Sequence, residues 1–458
     1  MDTTVNKRSV GSDLTTGPIL KTLLWFAIPI VLTNLIQQAY SLIDLIVIKE
    51  YVGNIGTVGV NTGGEIADLV MPIASGFAMA GQIYIAQLVG ASERNKTKKA
   101  IGTLLAFCIY LSVILTVVSI LFCKPILTWL KCPVEAMAQA EAYMIVTSLG
   151  YPFIFGYNAV CGVLRGMGES KKPLYYILVA ATTNIVLDVL LVAVFKLEAA
   201  GTAVATVVSQ FASFAAAFYS LWKNREHFDF ELSFHYFKID FSILQVFIRL
   251  GIPQVFRSMC VRFGMVWVNK SANAYGMIVS ATNSVGNKLQ KFLEVFISGV
   301  DTASASMVGQ CLGAKDIERS RKTTIYTFAS AFMAAIIISI LCLTIPKPIF
   351  SLFSKDSGVI ELGAVYLKIF VLHFLISAVT GSFQAMVTGS GFVELGFVLG
   401  LLDGLICKIG FSYFFAYVLH MGYEGLWLGV ATSRLPNAFI TVIYFLSGKW
   451  KTRKLLTE

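Results

Sequence analysis

Apolar and polar positions alternate along this chain in blocks far longer than any strand or surface helix. Apolar runs occur near 20–48, 56–88, 100–123, 136–164, 173–195 and 199–221. A second set follows near 242–270, 276–309, 322–345, 358–387, 392–418 and 425–447. A helix of about 20 apolar residues spans the hydrocarbon core of a bilayer, and the longest of these runs must tilt or project from it. The pattern predicts an all-α membrane protein with twelve transmembrane helices. Composition agrees: 56% of the 458 residues are hydrophobic and 14% are charged, against about 25% charged in soluble domains.

Polar punctuation fixes an orientation. The first 21 residues, "MDTTVNKRSVGSDLTTGPILK", contain no short apolar core of a cleaved signal peptide, so the first span is expected to act as an uncleaved insertion signal. With the N-terminus inside, inner segments hold 21 Lys and Arg and outer loops hold 7. This bias predicts that both termini are cytoplasmic in a cell membrane, the bacterial plasma membrane being expected. The net charge of +10 is then topological, and no nucleic-acid partner is expected. The eight cysteines are scattered without a C-x-x-C pair, which argues against a disulfide scaffold or a zinc site.

The halves repeat. Pro29 matches Pro253, Gln87 matches Gln310, Gly166 and Gly168 match Gly389 and Gly391, and Gly201 matches Gly425, all 223 or 224 residues apart. Five correspondences at one offset indicate an internal duplication. Six spans per half is an even number, so the repeats insert in parallel. The expected organisation is a lobe at 1–221, a cytoplasmic linker at 222–241 and a second lobe at 242–458. Two such lobes predict a carrier that exposes a cavity alternately to each side.

The ordered segments "LLWFAIPIVLTNLIQQAYSLIDLIVI", "AQLVGA", "LRGMGESKKPL", "TTNIVLDVLLVAVF" and "GTAVATVVSQ" resemble the multidrug and toxic compound extrusion (MATE) family. The resemblance covers about residues 17–447. It implies secondary active efflux of amphiphilic organic compounds in exchange for inward H⁺ or Na⁺. It also implies a cation site on helices 1, 5 and 6, whose matching residues here are Asp44, Asn184, Asp188 and Thr206. The family's usual proline after the helix-5 aspartate is Val189 in this chain.

The residues support the same site by depth. Asp188 lies about 7 residues, or roughly 10 Å, inside the outer end of its helix, and Thr206 is about equally deep in the next. Asp44 sits a few residues from the outer end of helix 1. Asn184 and Asp188 share a helix face at i and i+4. A carboxylate removed from water resists charging, so such a group holds a proton until it is hydrated; the same oxygens suit Na⁺. The alternative is that both aspartates are structural, although intramembrane ionisable groups are functional by default. Pro29 removes a helical hydrogen bond and offers a bend. Gln37, Tyr40, Glu65, Asp68, Met259, Phe263 and Trp267 are candidates for the substrate path, with lipid-facing, solvated or packing roles as the alternatives.

The second half lacks the carboxylate cluster: positions equivalent to Asn184 and Asp188 fall near Cys407 or Lys408 and Phe411. Its spans are rich in bases, including Arg257, Arg262, Lys368, His373, Lys408 and Arg434, against Glu294, Asp301, Glu394 and Asp403. Lys288, Lys291 and Glu294 are spaced for a local ion pair on one helix. The bases either snorkel or pair internally, or favour an anionic substrate. That leaves a lipid-linked glycan flippase, or an exporter of anionic metabolites, as the alternative function. No H-E-x-x-H or Walker-type motif is present, so neither a metalloenzyme nor an ATP-driven pump is expected. No cofactor beyond the coupling ion is expected, and each chain is expected to work as a monomer on small organic substrates.

Overall fold

The computed structural model describes residues 13–223 and 239–456, apart from the side chains at 42, 44–46, 49 and 54. Most of the expected linker 222–241 therefore lies outside the described residues. Among the described residues every regular element is a helix. Twelve spans follow in order. The first six are span 1 (Ile19–Val47), span 2 (Gly53–Gly90), span 3 (Arg94–Leu121), span 4 (Val134–Leu149 with Tyr151–Gly166), span 5 (Lys171–Val194) and span 6 (Glu198–Lys223). The second six are span 7 (Phe241–Asn273), span 8 (Met277–Gly313), span 9 (Ile317–Thr344), span 10 (Ser357–Gly389), span 11 (Val393–Val418) and span 12 (Gly422–Ser447).

Nine of the spans are long and apolar enough to cross a membrane on composition alone, and span 4 qualifies as a pair bent by 43°. Spans 7 and 8 fall short because they carry Arg249, Arg257, Arg262, Lys288, Lys291, Glu294 and Asp301. Length makes them spans, and some of their charges pair with groups on other helices.

The duplication is written into the backbone. Left-handed conformations recur at matched positions: Gly53 and Gly276, Ser92 and Lys315, Gly168 and Gly391, Lys196 and His420. Short helices at Cys123–Trp129 and Pro346–Ser351 precede spans 4 and 10. Spans 5 and 11 both end in π-helical turns, Val189–Val194 and Phe414–Val418. A Cβ at Gly166 would lie 2.7 Å from the Gln82 carbonyl, and one at Gly389 would lie 3.0 Å from that of Ala305. The same helix pair is thus brought close by the same glycine in each half.

The chain divides into two compact units. Among the described residues, unit 1 takes Leu32–Gly251 and unit 2 takes Leu14–Val31 with Ile252–Glu458. The chain passes from one unit to the other within two residues of Pro29 and again beside Pro253. Proline has no N–H to donate into the helical ladder, so both passages fall beside a break in the regular hydrogen bonding. In unit 2 the start of span 1 is held by apolar packing of Leu23, Phe26, Ala27 and Ile30 against Val300, Ala303 and Met307. Arg319 also donates to the Leu14, Gly17 and Thr16 carbonyls at 3.2, 2.9 and 2.6 Å.

Unit 2 has an aromatic centre in which Tyr366 stacks on Phe370 at 4.1 Å and meets the edge of Trp427 at 5.1 Å. Several of its polar side chains pair with one another. Asn283 and Asn287 both donate to Asn269 Oδ1, Trp427 donates to Asn283, and Tyr366 donates to Asn287. Buried polar groups paired in this way cost the fold little.

Candidate functional site

In unit 1, Pro173 falls in the first turn of span 5, where its missing N–H costs nothing, and the helix then runs without interruption to Asp188. Asn184 is 2% exposed and Asp188 is fully buried; one turn apart, they share a face. Asp188 is the last residue of α-helical register, and the π turn begins at Val189. Phe195 and Leu197 donate to the Leu190 and Leu191 carbonyls, each at 3.0 Å, five and six residues back. The change of register thus occurs at the position of the family's usual proline, with valine in its place. π turns inside helices are frequent at functional sites.

Span 6 packs against span 5. Gly201 favours the close approach, since a Cβ there would stand 3.3 Å from the Leu191 carbonyl in the π turn. Thr206 lies farther along the same helix, half-buried, and its carbonyl accepts from Ser209 Oγ at 2.7 Å. Of the four sequence-predicted coupling residues, three are therefore placed on two adjacent helices. The fourth, Asp44, lies in span 1, but its side chain is outside the described residues.

The candidate substrate-path residues do not share one environment. Gln37 and Tyr40 are half-buried on span 1, while Glu65 and Asp68 are exposed on span 2. On span 7 Met259 is half-buried and Phe263 is 61% exposed, whereas Trp267 packs against the aromatic core of unit 2. The three therefore do not present one uniform stripe.

Unit 2 holds a charge network that was not legible as a network in the sequence. The local pair expected on span 8 does not form: Lys288 and Lys291 are exposed, and Glu294 turns to other helices. Glu294 accepts from Arg434 Nη1 of span 12 and lies 3.7 Å from His373 Nε2 of span 10. Arg434 also donates to Ser377 Oγ at 2.9 Å, and its Nε lies 3.4 Å from Asp403 Oδ2. Arg257 reaches the same Asp403 oxygen at 4.0 Å. His373 Nε2 sits 2.9 Å from Gln290 Nε2. The basic character of these spans is thus partly answered by acids from distant parts of the sequence. The one available signal was the charge that keeps spans 7 and 8 below the apolar threshold.

With this geometry in place, comparison with known proteins is informative. The MatE family model matches residues 29–190 and 253–414, two segments of equal length beginning at Pro29 and Pro253. The chain is 26% identical over 454 residues to the probable multidrug resistance protein YpnP of Bacillus subtilis, covering 97% of this chain and 99% of the relative. It is 22% identical over 395 residues to the multidrug export protein MepA of Staphylococcus aureus, covering 85% and 86%. Among solved structures, the outward-facing form of a multidrug resistance MATE family transporter shares the fold with a TM-score of 0.89 at 21% identity, over 96% of this chain and 98% of that one. A MOP superfamily transporter from Pyrococcus furiosus, described by the reversed polarity of its binding pocket, shares it at 0.88 and 21% identity, over 96% and 98%.

Proposed function

From the premise that the chain belongs to the MATE family of membrane transporters, we propose that it is an antiporter. In this reading it exports amphiphilic organic compounds across the cell membrane in exchange for inward H⁺ or Na⁺. Both termini face the cytoplasm, as the Lys and Arg bias requires. Asp188 is the coupling carboxylate, with Asn184, Thr206 and Asp44 as its neighbours.

The observation that carries this reading is the burial of Asp188 one turn from Asn184, at the residue where span 5 leaves α-helical register. A buried carboxylate is costly in its charged form, and a proton or a metal cation removes that cost. Cation entry therefore changes the stability of this part of unit 1. A segment that switches between α and π register has two discrete arrangements for such a change to bias. Amide, hydroxyl and carboxylate oxygens also suit Na⁺, so the residue types accommodate either ion. Reconstitution into liposomes with imposed H⁺ or Na⁺ gradients tests the proposal: one gradient drives a cationic dye against its concentration difference. If neither gradient drives dye, the antiport reading falls.

A further inference from the structure

Unit 2 holds cationic side chains whose hydrogen-bonding capacity the fold leaves unused. Lys408 of span 11 is 5% exposed, and its ammonium makes no hydrogen bond, and no ion pair within 4.0 Å, among the described residues. Arg257 of span 7 has a side chain 25% exposed, and its one ionic contact is Asp403 Oδ2 at 4.0 Å, beyond hydrogen-bond range. Ammonium and guanidinium offer three and five donors respectively. Arg434, by contrast, spends its donors on Glu294 and Ser377. Asp403 is fully buried, with Arg434 at 3.4 Å and Arg257 at 4.0 Å.

Close contacts between spans 7 and 11 flank both groups. A Cβ at Gly400 would stand 2.7 Å from Arg257 Cβ, and one at Gly404 would stand 2.5 Å from the Val261 nitrogen. One at Gly264 would meet the Gly404 carbonyl at 2.1 Å and Lys408 Cδ at 3.1 Å. Three glycines thus bring spans 7 and 11 into close backbone contact beside the two bases. Between Gly400 and Lys408 the helix makes a π turn, Leu402–Ile406, which carries Asp403. Unit 1 has no counterpart, since span 5 is regular from Lys171 to Asp188. One residue from Arg257, Phe256 stacks on Phe397 at 4.4 Å.

The duplication sharpens the contrast. Lys408 stands 224 residues after Asn184, and Ser412 stands 224 after Asp188. Where unit 1 has an amide and a carboxylate, unit 2 has an ammonium and a hydroxyl.

We propose that Arg257 and Lys408 form an oxyanion site that receives one carboxylate or phosphate group of an amphiphilic ligand. Asp403 holds the two cations in place when the ligand is absent. Arginine supplies a planar fork matched to two oxygens, and lysine a point charge. The adjacent aromatic pair favours a ligand with an apolar body. The inference does not depend on the coupling role of Asp188, so each can fail alone.

The test uses purified full-length protein, delipidated in detergent and titrated calorimetrically with n-octyl phosphate and octanoate, with octyltrimethylammonium as the cationic control. Both anions bind at one per chain and displace each other, and the cation does not displace them. Lys408→Gln and Arg257→Gln each weaken anion binding at least tenfold, while Lys408→Arg and the exposed-site control Lys288→Gln retain it. Absence of anion binding, or affinities unchanged in both neutral variants, overturns the proposal. If the neutral variants do not fold, wild type decides: displacement of octanoate by the cationic amphiphile as readily as by n-octyl phosphate overturns it. Nanodiscs with and without phosphatidylglycerol separate the two sources of the anion. Competition by that lipid assigns the site to a headgroup phosphate, and undiminished binding assigns it to an exported anion; either result supports an oxyanion site.

Discussion

Replacing Arg434 by glutamine removes the residue on which the charge network of unit 2 converges. The change leaves Glu294 without its guanidinium partner and Asp403 with the 4.0 Å approach of Arg257 and the Ser433 hydroxyl at 3.5 Å. Breaking a buried pair by deleting one partner costs about 3–5 kcal/mol. Glu294 and Arg434 keep about a fifth of their side chains exposed, 20% and 21%, so the lower end, about 3 kcal/mol, is expected. For a cooperative unit of about 200 residues this lowers the melting temperature by roughly 6 to 12 °C. All eight cysteines are buried and unpaired, so a thiol-reactive fluorophore reports unfolding without an added label. The double variant Arg434→Gln with Glu294→Gln melts closer to wild type than Arg434→Gln alone, because no orphaned Glu294 charge remains. The coupling read from that cycle is about 0.5–3 kcal/mol. A single variant melting within about 2 °C of wild type, or strictly additive losses, would refute the network as a stabilising unit.

Two further predictions concern packing and pH. A Cβ at Gly429 would lie 2.2 Å from Ser412 backbone atoms, whereas Gly396 has nothing within 4 Å; Gly429→Ala therefore loses at least about 1–3 kcal/mol, while Gly396→Ala is neutral or slightly stabilising in the same melt. Outside the membrane-spanning segments, Asp240 accepts from Ser242 Oγ and from the N–H groups of Ser242 and Ile243, the latter two at 3.0 and 3.4 Å. The Ser242 hydroxyl above all, with those N–H groups and Lys99, holds the Asp240 carboxyl below the usual carboxylate range. A folded-state value below the unfolded one stabilises above the unfolded value, about 3.9, and that stability is lost as the pH falls through the folded value. Asp240→Ala is thus expected to cost about 1 kcal/mol at neutral pH as a lost N-cap, with the gap to wild type closing below about pH 4. A gap that widens in acid would contradict the assignment.

Much of the architecture was legible because its determinants are long or repeated. Apolar runs of bilayer length place all twelve spans to within several residues, and the 223–224 offset reappears in the backbone at Gly53 and Gly276, Ser92 and Lys315, and Gly168 and Gly391. The burial of Asn184 and Asp188 follows from their i, i+4 spacing in an apolar helix. What could not be read arises between distant residues or in backbone register. Glu294 and Arg434 are 140 residues apart, and no local pattern tells that pair from Glu294 with Lys291. The π turns after Asp188 and around Asp403 leave no compositional trace, since valine and leucine suit either register. Nor does the sequence show that the chain leaves one unit for the other beside Pro29 and Pro253, although the prolines themselves mark where a helix gives way.

The central claim is that the Asp188 carboxylate ties ion entry to export. The most direct measurement compares wild type and Asp188→Asn in liposomes, following dye movement both down its own gradient and against it under the driving ion gradient. Asparagine keeps the size of the side chain and one acceptor oxygen while removing the switchable charge. The variant is expected still to exchange dye downhill but no longer to concentrate it. A variant that concentrates dye as wild type does would show that Asp188 is structural and that coupling resides elsewhere.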